Sequence, residues 1–284
     1  VNILSISSNV ASGHVGNAAA VFAMQRLGHE VWPIDTLRFS NHPGHGRWRG
    51  RATEPGLIDE IVAGLADLGV LAACDGVITG YAGTGDTAAA MLRAVAAVKL
   101  ANPTTRVCCD PVLGDDGQLY VPADVATLLV AAGVPAADVV TPNLFELGVI
   151  AGHTVQTHAE LAAALDAAHR LGPAVVLVTS ANVDTTPAGC VDCVVSSGEG
   201  RFLARTTRLD TAVHGAGDAI AALFFAQWLA TGSAVAALAH ATAAVHGVLR
   251  ATAASGAPEL LLVAAQDELV APSQPVVPQP FRSA

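Results

Sequence analysis

Lysine is almost missing from this chain of 284 residues, with Lys99 its only example. Fourteen Lys and Arg stand against 24 Asp and Glu, for a net charge of −10. Such a chain has no basic surface with which to neutralise a run of phosphates, which argues against nucleic-acid binding. The one basic cluster, "HGRWRGR" at 45–51, is long enough only for a local anion contact. Charged residues are scarce at 13% and aromatics at 4%, yet 52% of residues are hydrophobic, which excludes a disordered chain. Long apolar runs are missing too, despite a mean hydropathy of +0.50. The most apolar stretch, 219–230, contains Gln227 and falls short of the roughly 18–20 residues a membrane span needs. It reads as a buried helix, with no membrane partner. Five cysteines is an odd count, with no second pair to complete a zinc site. Cys190 and Cys193 lie in the alternating run "GCVDCVV", which reads as a strand and not as the helix-opening turn of a redox pair. The first residues, "VNILSISS", read as a strand and not a leader, so the expected compartment is the reducing cytoplasm.

What is present is alternation. Short apolar runs at 2–6, 30–34, 76–79, 106–110, 138–142 and 174–179 are separated by Ala-rich helical patterns near 16–27, 55–69, 86–101, 122–132, 143–151 and 158–171. Strands apolar on both faces and joined through helices predict an α/β fold: a central, mainly parallel β-sheet with helices on both sides. Past residue 185 an antiparallel pair turns at Ser197-Gly198-Glu199-Gly200, followed by helices near 215–231, 234–252 and 258–270. Residues 1–271 read as one domain, and the Pro-rich residues 272–284 as an unpacked tail.

Two glycine-aspartate turns compete for attention, "GTGDTAAAMLR" at 83–93 and "HGAGDAIAALFF" at 214–225. Glycines at a helix start let backbone N–H groups approach an anion, and the helix dipole adds to that field. An aspartate beside such a hole can take a proton from an alcohol attacking phosphorus. The same aspartate can simply favour the dipole as a first-turn residue. The local pattern leaves Asp218 open between these roles and leans against Asp86, because the segment after Gly217 is the more apolar. A second constellation favours phosphoryl transfer. "CCDPVLGDDGQLYVP" (108–122) puts Asp110 at a strand end with Asp115 and Asp116 beyond it, and "TPNLFEL" (141–147) puts Asn143 and Glu146 past the next strand. Carboxylates at neighbouring strand ends can hold Mg²⁺ beside nucleotide phosphates. No P-loop is present.

These residues resemble the pyridoxal kinases of the ribokinase-like superfamily. "SSNVASGHVGNAAA", "FSNHPGHGRWRG", "ITGYAG", "CDPVLGDDGQLYVP", "DVVTPNLFEL", "VVLVTS", "GAGD" and "AAQDEL" appear in the family's order, nearly end to end. The resemblance implies transfer of the γ-phosphoryl of ATP to the 5′-hydroxymethyl of pyridoxal, with pyridoxine and pyridoxamine as further acceptors. It implies Asp218 as the base and the N–H groups of Gly215, Ala216 and Gly217 as the anion hole. Ser8, Val10, His42, Pro43 and Tyr81 would line the acceptor. Asp110, Tyr120, Thr141, Asn143, Glu146, Thr179 and Ser180 would line the nucleotide, with Asp115 and Glu146 on the Mg²⁺ side. It leaves room for a monovalent cation and implies a homodimer. Gly83-Thr84-Gly85-Asp86 falls in a variable loop of the family. The "FSNH" loop departs from many relatives at Pro43-Gly44-His45, so these positions bear on the choice of acceptor. His14, His42, His45 and His214 lie in site loops and read first as structural, and Trp48 could help fold a loop over the substrate. A hydroxymethylpyrimidine or small-sugar kinase of the same fold, and a vitamer-binding protein without turnover, are the alternatives.

Overall fold

Apolar side chains on both faces of a strand need cover on both sides, and in β1 (Asn2–Val10) Ile3, Leu4 and Ile6 are all fully buried. In the computed structural model of the chain, which describes residues 1–281, β1 lies inside a ten-stranded sheet. Its parallel neighbours are β2 (Glu30–Phe39) and β4 (Gly76–Thr79). The parallel array continues through β5 (Arg106–Cys109), β8 (Val139–Val140) and β9 (Val175–Val178). Antiparallel strands finish both edges: β3 (Gly50–Ala52) on β2, and β10 (Cys190–Ser197), β11 (Gly200–Thr207) and β12 (Gln279–Pro280) beyond β9. The order is β12-β11-β10-β9-β8-β5-β4-β1-β2-β3. The chain therefore builds on one side of β1 first and then on the other. That reversal opens a crevice at the carboxyl ends of β1 and β4, where open sheets of this kind bind ligands. A small ribbon of β6 (Gly114–Asp115) and β7 (Gln118–Leu119) stands apart.

Helices α1 (Asn17–Arg26), α8 (Ala216–Thr231), α9 (Ala234–Ser255) and α10 (Gln266–Val270) cover one face. The other carries α2 (Pro55–Asp67), α3 (Gly85–Ala101), α4 (Ala123–Leu128), α5 (Val134–Ala136), α6 (Leu144–Ala151) and α7 (His158–Leu171). Helix α8 is apolar all round because it runs through the middle of its layer, and every residue from Ala219 to Ala226 is buried. Gly76 lets it close on the sheet, since a Cβ there would stand 2.8 Å from Leu229 and 3.0 Å from Phe225. Helix α9 is long and apolar enough to cross a membrane by length and composition alone. Its Ala237, Leu238, Ala241 and Ala244 are instead buried in the core beside α8.

Several local expectations are corrected. Strands β1 and β2 run on to Val10 and Phe39, so Ser8 and Val10 sit on a strand and not in a loop. The helix expected near 122–132 is α4, a π-turn over Leu129–Gly133 and then α5. Of the helix expected over 258–270, only Gln266–Val270 forms, because Leu260 and Leu262, two apart, are both buried and the chain turns between them. The tail is not unpacked up to residue 281. Gln279 and Pro280 pair with Leu203 and Phe202, the Phe281 N–H donates to the Arg201 carbonyl at 2.9 Å, and the Phe281 side chain is buried. An edge strand tolerates proline where no N–H is needed. Cys190 and Cys193 do lie on a strand, β10, and all five cysteines are unpaired thiols.

Candidate active site

The start of α8 is a turn only glycine can make at its first position. Gly215 caps the helix at φ 94°, ψ −4°, and a Cβ there would collide with the His14 carbonyl oxygen. A built Cβ on Gly217 meets nothing within 4 Å, so the first turn is open on that side. The N–H groups of Ala216 and Gly217 belong to the unpaired donors of a 16-residue helix, and the dipole of that helix favours an anion before them. Asp218 sits in this turn, partly exposed. Surrounding protein pushes its pKa up from 3.8 to about 6, and the N–H groups of Gly16 and of Asp218 itself oppose that rise. Asp86, in the look-alike turn, is exposed on the first turn of α3, whose N-cap is Thr84. The two sequences differ little, yet Asp86 is exposed where Asp218 is only partly so.

Behind Asp218 the strand ends present a polar row. Asp110 follows β5, and its Oδ1 accepts from the Thr141 hydroxyl at 3.0 Å. Its carboxyl is raised well above the usual range by burial, then by the charges of Glu146 and Asp218. Glu146, 4% exposed, is raised to about 7, chiefly by burial. Three backbone N–H groups oppose that rise. Leu113 and Gly114 donate to its Oε1 at 2.7 and 3.4 Å, and Asn143 donates to Oε2 at 2.8 Å. Asn143 completes a capping box by accepting from the Glu146 N–H at 2.9 Å, while its amide donates to the Gly114 carbonyl at 2.8 Å. Glu146 thus clamps the 112–114 loop onto the start of α6. The clamp holds a strained backbone, because Val112, a β-branched residue, sits at φ 40°. Thr179 bridges Asn143 at the end of β9, and Ser180 follows at φ 48°, exposed. Asp115 and Tyr120 are exposed at the rim, Asp115 accepting from the Asp116 N–H at 2.8 Å. Among the described residues no three His, Cys, Asp or Glu side chains gather closely enough to hold a metal by themselves.

The other side of the crevice carries Ser8 and Val10 at the end of β1, Tyr81 after β4, and the loop with His42 and Pro43. Gly16 packs directly on Ser8, and burial raises the Tyr81 phenol above its usual value. His42 Nδ1 accepts from the Gly44 N–H at 3.1 Å, which leaves Nε2 as its donor. Sequence reasoning missed a polar network beneath this wall. Asp35 accepts from Asn17 at 2.9 Å, from Asn9 at 3.0 and 3.1 Å, and from Arg38 at 2.9 Å, while Asn17 Oδ1 accepts from the Ser5 hydroxyl at 2.8 Å. The available signal was a run of polar residues, Ser5, Ser7 and Asn9, inside an otherwise apolar strand. It also missed the ring contact of His42 with His214 and any part for Glu259.

A family model, phosphomethylpyrimidine kinase, matches residues 66–260. The pyridoxal kinase PdxY of Deinococcus radiodurans is 48% identical over 281 residues, covering 95% of this chain and 93% of that protein. The pyridoxal kinase PdxY of Granulibacter bethesdensis is 45% identical over 96% of this chain and 97% of its own. Among solved structures, pyridoxal kinase from Leishmania donovani in complex with ADP and pyridoxamine superposes with a TM-score of 0.90 at 28% identity, over 98% of this chain and 99% of that one. Pyridoxal kinase from Trypanosoma brucei gives a TM-score of 0.86 at 28% identity, again over 98% and 99%.

Proposed function

The chain belongs to the pyridoxal kinases within the phosphomethylpyrimidine kinase family, and from that premise we propose that it phosphorylates the 5′-hydroxymethyl of pyridoxal with ATP, giving pyridoxal 5′-phosphate. The observation that carries this reading is Asp218, a carboxylate with a pKa of about 6 in the open first turn of α8. At pH 7 roughly nine in ten such groups are ionised and ready to accept a proton. The acceptor hydroxyl passes its proton to Asp218 as its oxygen bonds to the γ-phosphorus, and the bond to the β-phosphate oxygen breaks to release ADP. The N–H groups of Gly215, Ala216 and Gly217 stabilise charge on the phosphoryl oxygens in transit.

Thr141, Asn143, Thr179 and Ser180, along the ends of β8 and β9, are read as the nucleotide's phosphate wall, with Asp110 behind them and Tyr120 at the rim. Ser8, Val10, Tyr81, His42 and Pro43 are read as the acceptor's, with His42 Nε2–H as a fixed donor. Burial raises both carboxyls first, and then Glu146 adds to the rise at Asp110 and Asp115 to that at Glu146, so negative charge is crowded here and positive charge is favoured. That fits Mg²⁺, which takes one or two carboxylates and fills the rest of its shell with phosphate oxygens and water. Asp115 and Glu146 would stand on its side, and the ion would neutralise phosphate charge. The exposed apolar stripe of Leu57, Ile61 and Leu68 on and just past α2 supports a homodimer, and five free thiols support a cytoplasmic enzyme. Product analysis with pyridoxal, pyridoxine, pyridoxamine and hydroxymethylpyrimidine tests the reading. Phosphorylation of the pyrimidine alone would move the chain to the other activity of its family.

A further inference from the structure

Four segments distant in sequence meet beside the acceptor wall, in a contact that the reaction itself does not use. The His42 and His214 rings pack together with centroids 3.8 Å apart and planes tilted by 33°, and the His45 ring stands edge-on to His214 at 6.4 Å. His45 Nε2 lies 2.6 Å from Glu259 Oε1, with the two side chains 35% and 27% exposed. Glycines make this closeness possible. A Cβ on residue 44 would stand 2.5 Å from His214 Nε2, and one on residue 13 would stand 2.6 Å from Glu259 Oε2. The loop at 41–49 is thus tied both to the catalytic turn, through His214 beside Gly215, and to the segment ahead of α10, through Glu259. The rest of the loop is thinly held. Residues 43–50 are all exposed, Trp48 stacks on Phe39 at 4.2 Å, and the Asn41 amide donates to the Arg47 carbonyl at 2.8 Å.

We propose that His45, His214 and Glu259 are positioning residues for the acceptor: they clasp the 41–49 loop to the catalytic turn and so fix the His42 ring against the bound alcohol. This rests on the reading that the loop covers the acceptor. His42 is in the state this role needs. Burial, followed by the neighbouring His214 and His45, keeps its pKa below the usual imidazole value, so it stays neutral, with Nδ1 accepting from Gly44 and Nε2 as donor. The clasp touches no residue of the phosphate wall, so loosening it affects one substrate and not the other.

The test uses Glu259→Gln and His45→Gln, singly and together, in the full chain. A partly exposed polar contact of this kind carries an effect of about three- to fivefold. KM for pyridoxal is expected to rise by that factor in each single variant and no further in the double, with KM for ATP and kcat within about twofold of wild type. A second readout needs no activity: Arg47, Arg49 and Arg51 are trypsin sites in the loop and its strand. Cleavage there is expected to accelerate by a similar factor while cleavage elsewhere is unchanged. Additive effects in the double variant, parallel rises in both KM values, or an unchanged trypsin rate would overturn the proposal. His45 lies on an exposed loop, so its variant answers the question even if Glu259→Gln folds poorly. If wild type fails to phosphorylate pyridoxal, the acceptor reading is refuted, and the trypsin rates alone decide whether the clasp holds the loop.

Discussion

Lowering the pH is the gentlest perturbation of the proposed base. Asp218 has its pKa raised from 3.8 to about 6, with burial as the main cause. A raised pKa means that the proton is held up to a higher pH, and the base works only in its ionised form. Activity is therefore present above pH 6 and lost as pH falls through that value. The ionised fraction is about nine-tenths at pH 7, one-half at pH 6 and one-tenth at pH 5. With the acceptor's own titration measured separately and divided out, kcat/KM should fall about tenfold from pH 7 to pH 5. An ordinary exposed aspartate, with a pKa near 3.9, would lose less than about a tenth of its activity over that range. The assay is initial-rate product formation at saturating Mg-ATP and sub-saturating pyridoxal, in buffers of constant ionic strength. A flat profile down to pH 5 would refute the argument from burial. A limb that persists in the residual activity of Asp218→Asn would assign the titration to another group.

Other expectations rest on the same geometry. Gly215→Ala forces a Cβ onto the His14 carbonyl at φ 94°; displacing the turn by about 1 Å should cost on the order of 10²-fold in kcat with both KM values little changed, as steady-state kinetics would show. Glu146→Gln leaves a single carbonyl oxygen where a carboxylate now accepts from three N–H groups; KM for ATP should rise roughly tenfold or more, and KM for pyridoxal much less. Phe224→Ala empties a fully buried position in α8 and should lower unfolding stability by about 3–5 kcal/mol, read as a lower urea midpoint at an unchanged slope. Ile61→Glu with Leu68→Glu, both exposed on the stripe along and just past α2, should convert the proposed dimer to a monomer in light scattering while the monomer stays folded by circular dichroism.

Much of this architecture is legible in the sequence because its physics is local. Strands such as "VVLV" must be covered on both faces, whereas the capping box of Asn143 and Glu146 is a structural finding at residues the sequence marked only for phosphate or metal. The two glycine-aspartate turns differ legibly only in the helices they open. Asp218 leads into a helix apolar all round, while Asp86 opens α3, whose exposed side carries Arg93, paired with Asp59 at 2.7 Å. Contacts between distant segments leave no local trace. Nothing near Glu259 marks it as the partner of His45, and nothing near His14 says that its carbonyl fixes residue 215 as glycine. The tail misleads for a related reason: its prolines argue against a strand, yet Pro280 occupies an edge position where the missing N–H costs nothing. Glu146 is the instructive case at the site. Its residue type points to metal or phosphate, whereas its three backbone donors show that it also holds together the loop on which Asp115 stands.

The central claim is that Asp218, in the open turn of α8, activates the acceptor hydroxyl. The most direct measurement is mass-spectrometric detection of phosphorylated product from wild type and Asp218→Asn, each with Mg-ATP and pyridoxal. The account expects pyridoxal 5′-phosphate from wild type and a loss of about 10²–10⁴-fold in rate from the variant, with pyridoxal and ATP still bound. Wild-type rates in Asp218→Asn would contradict it.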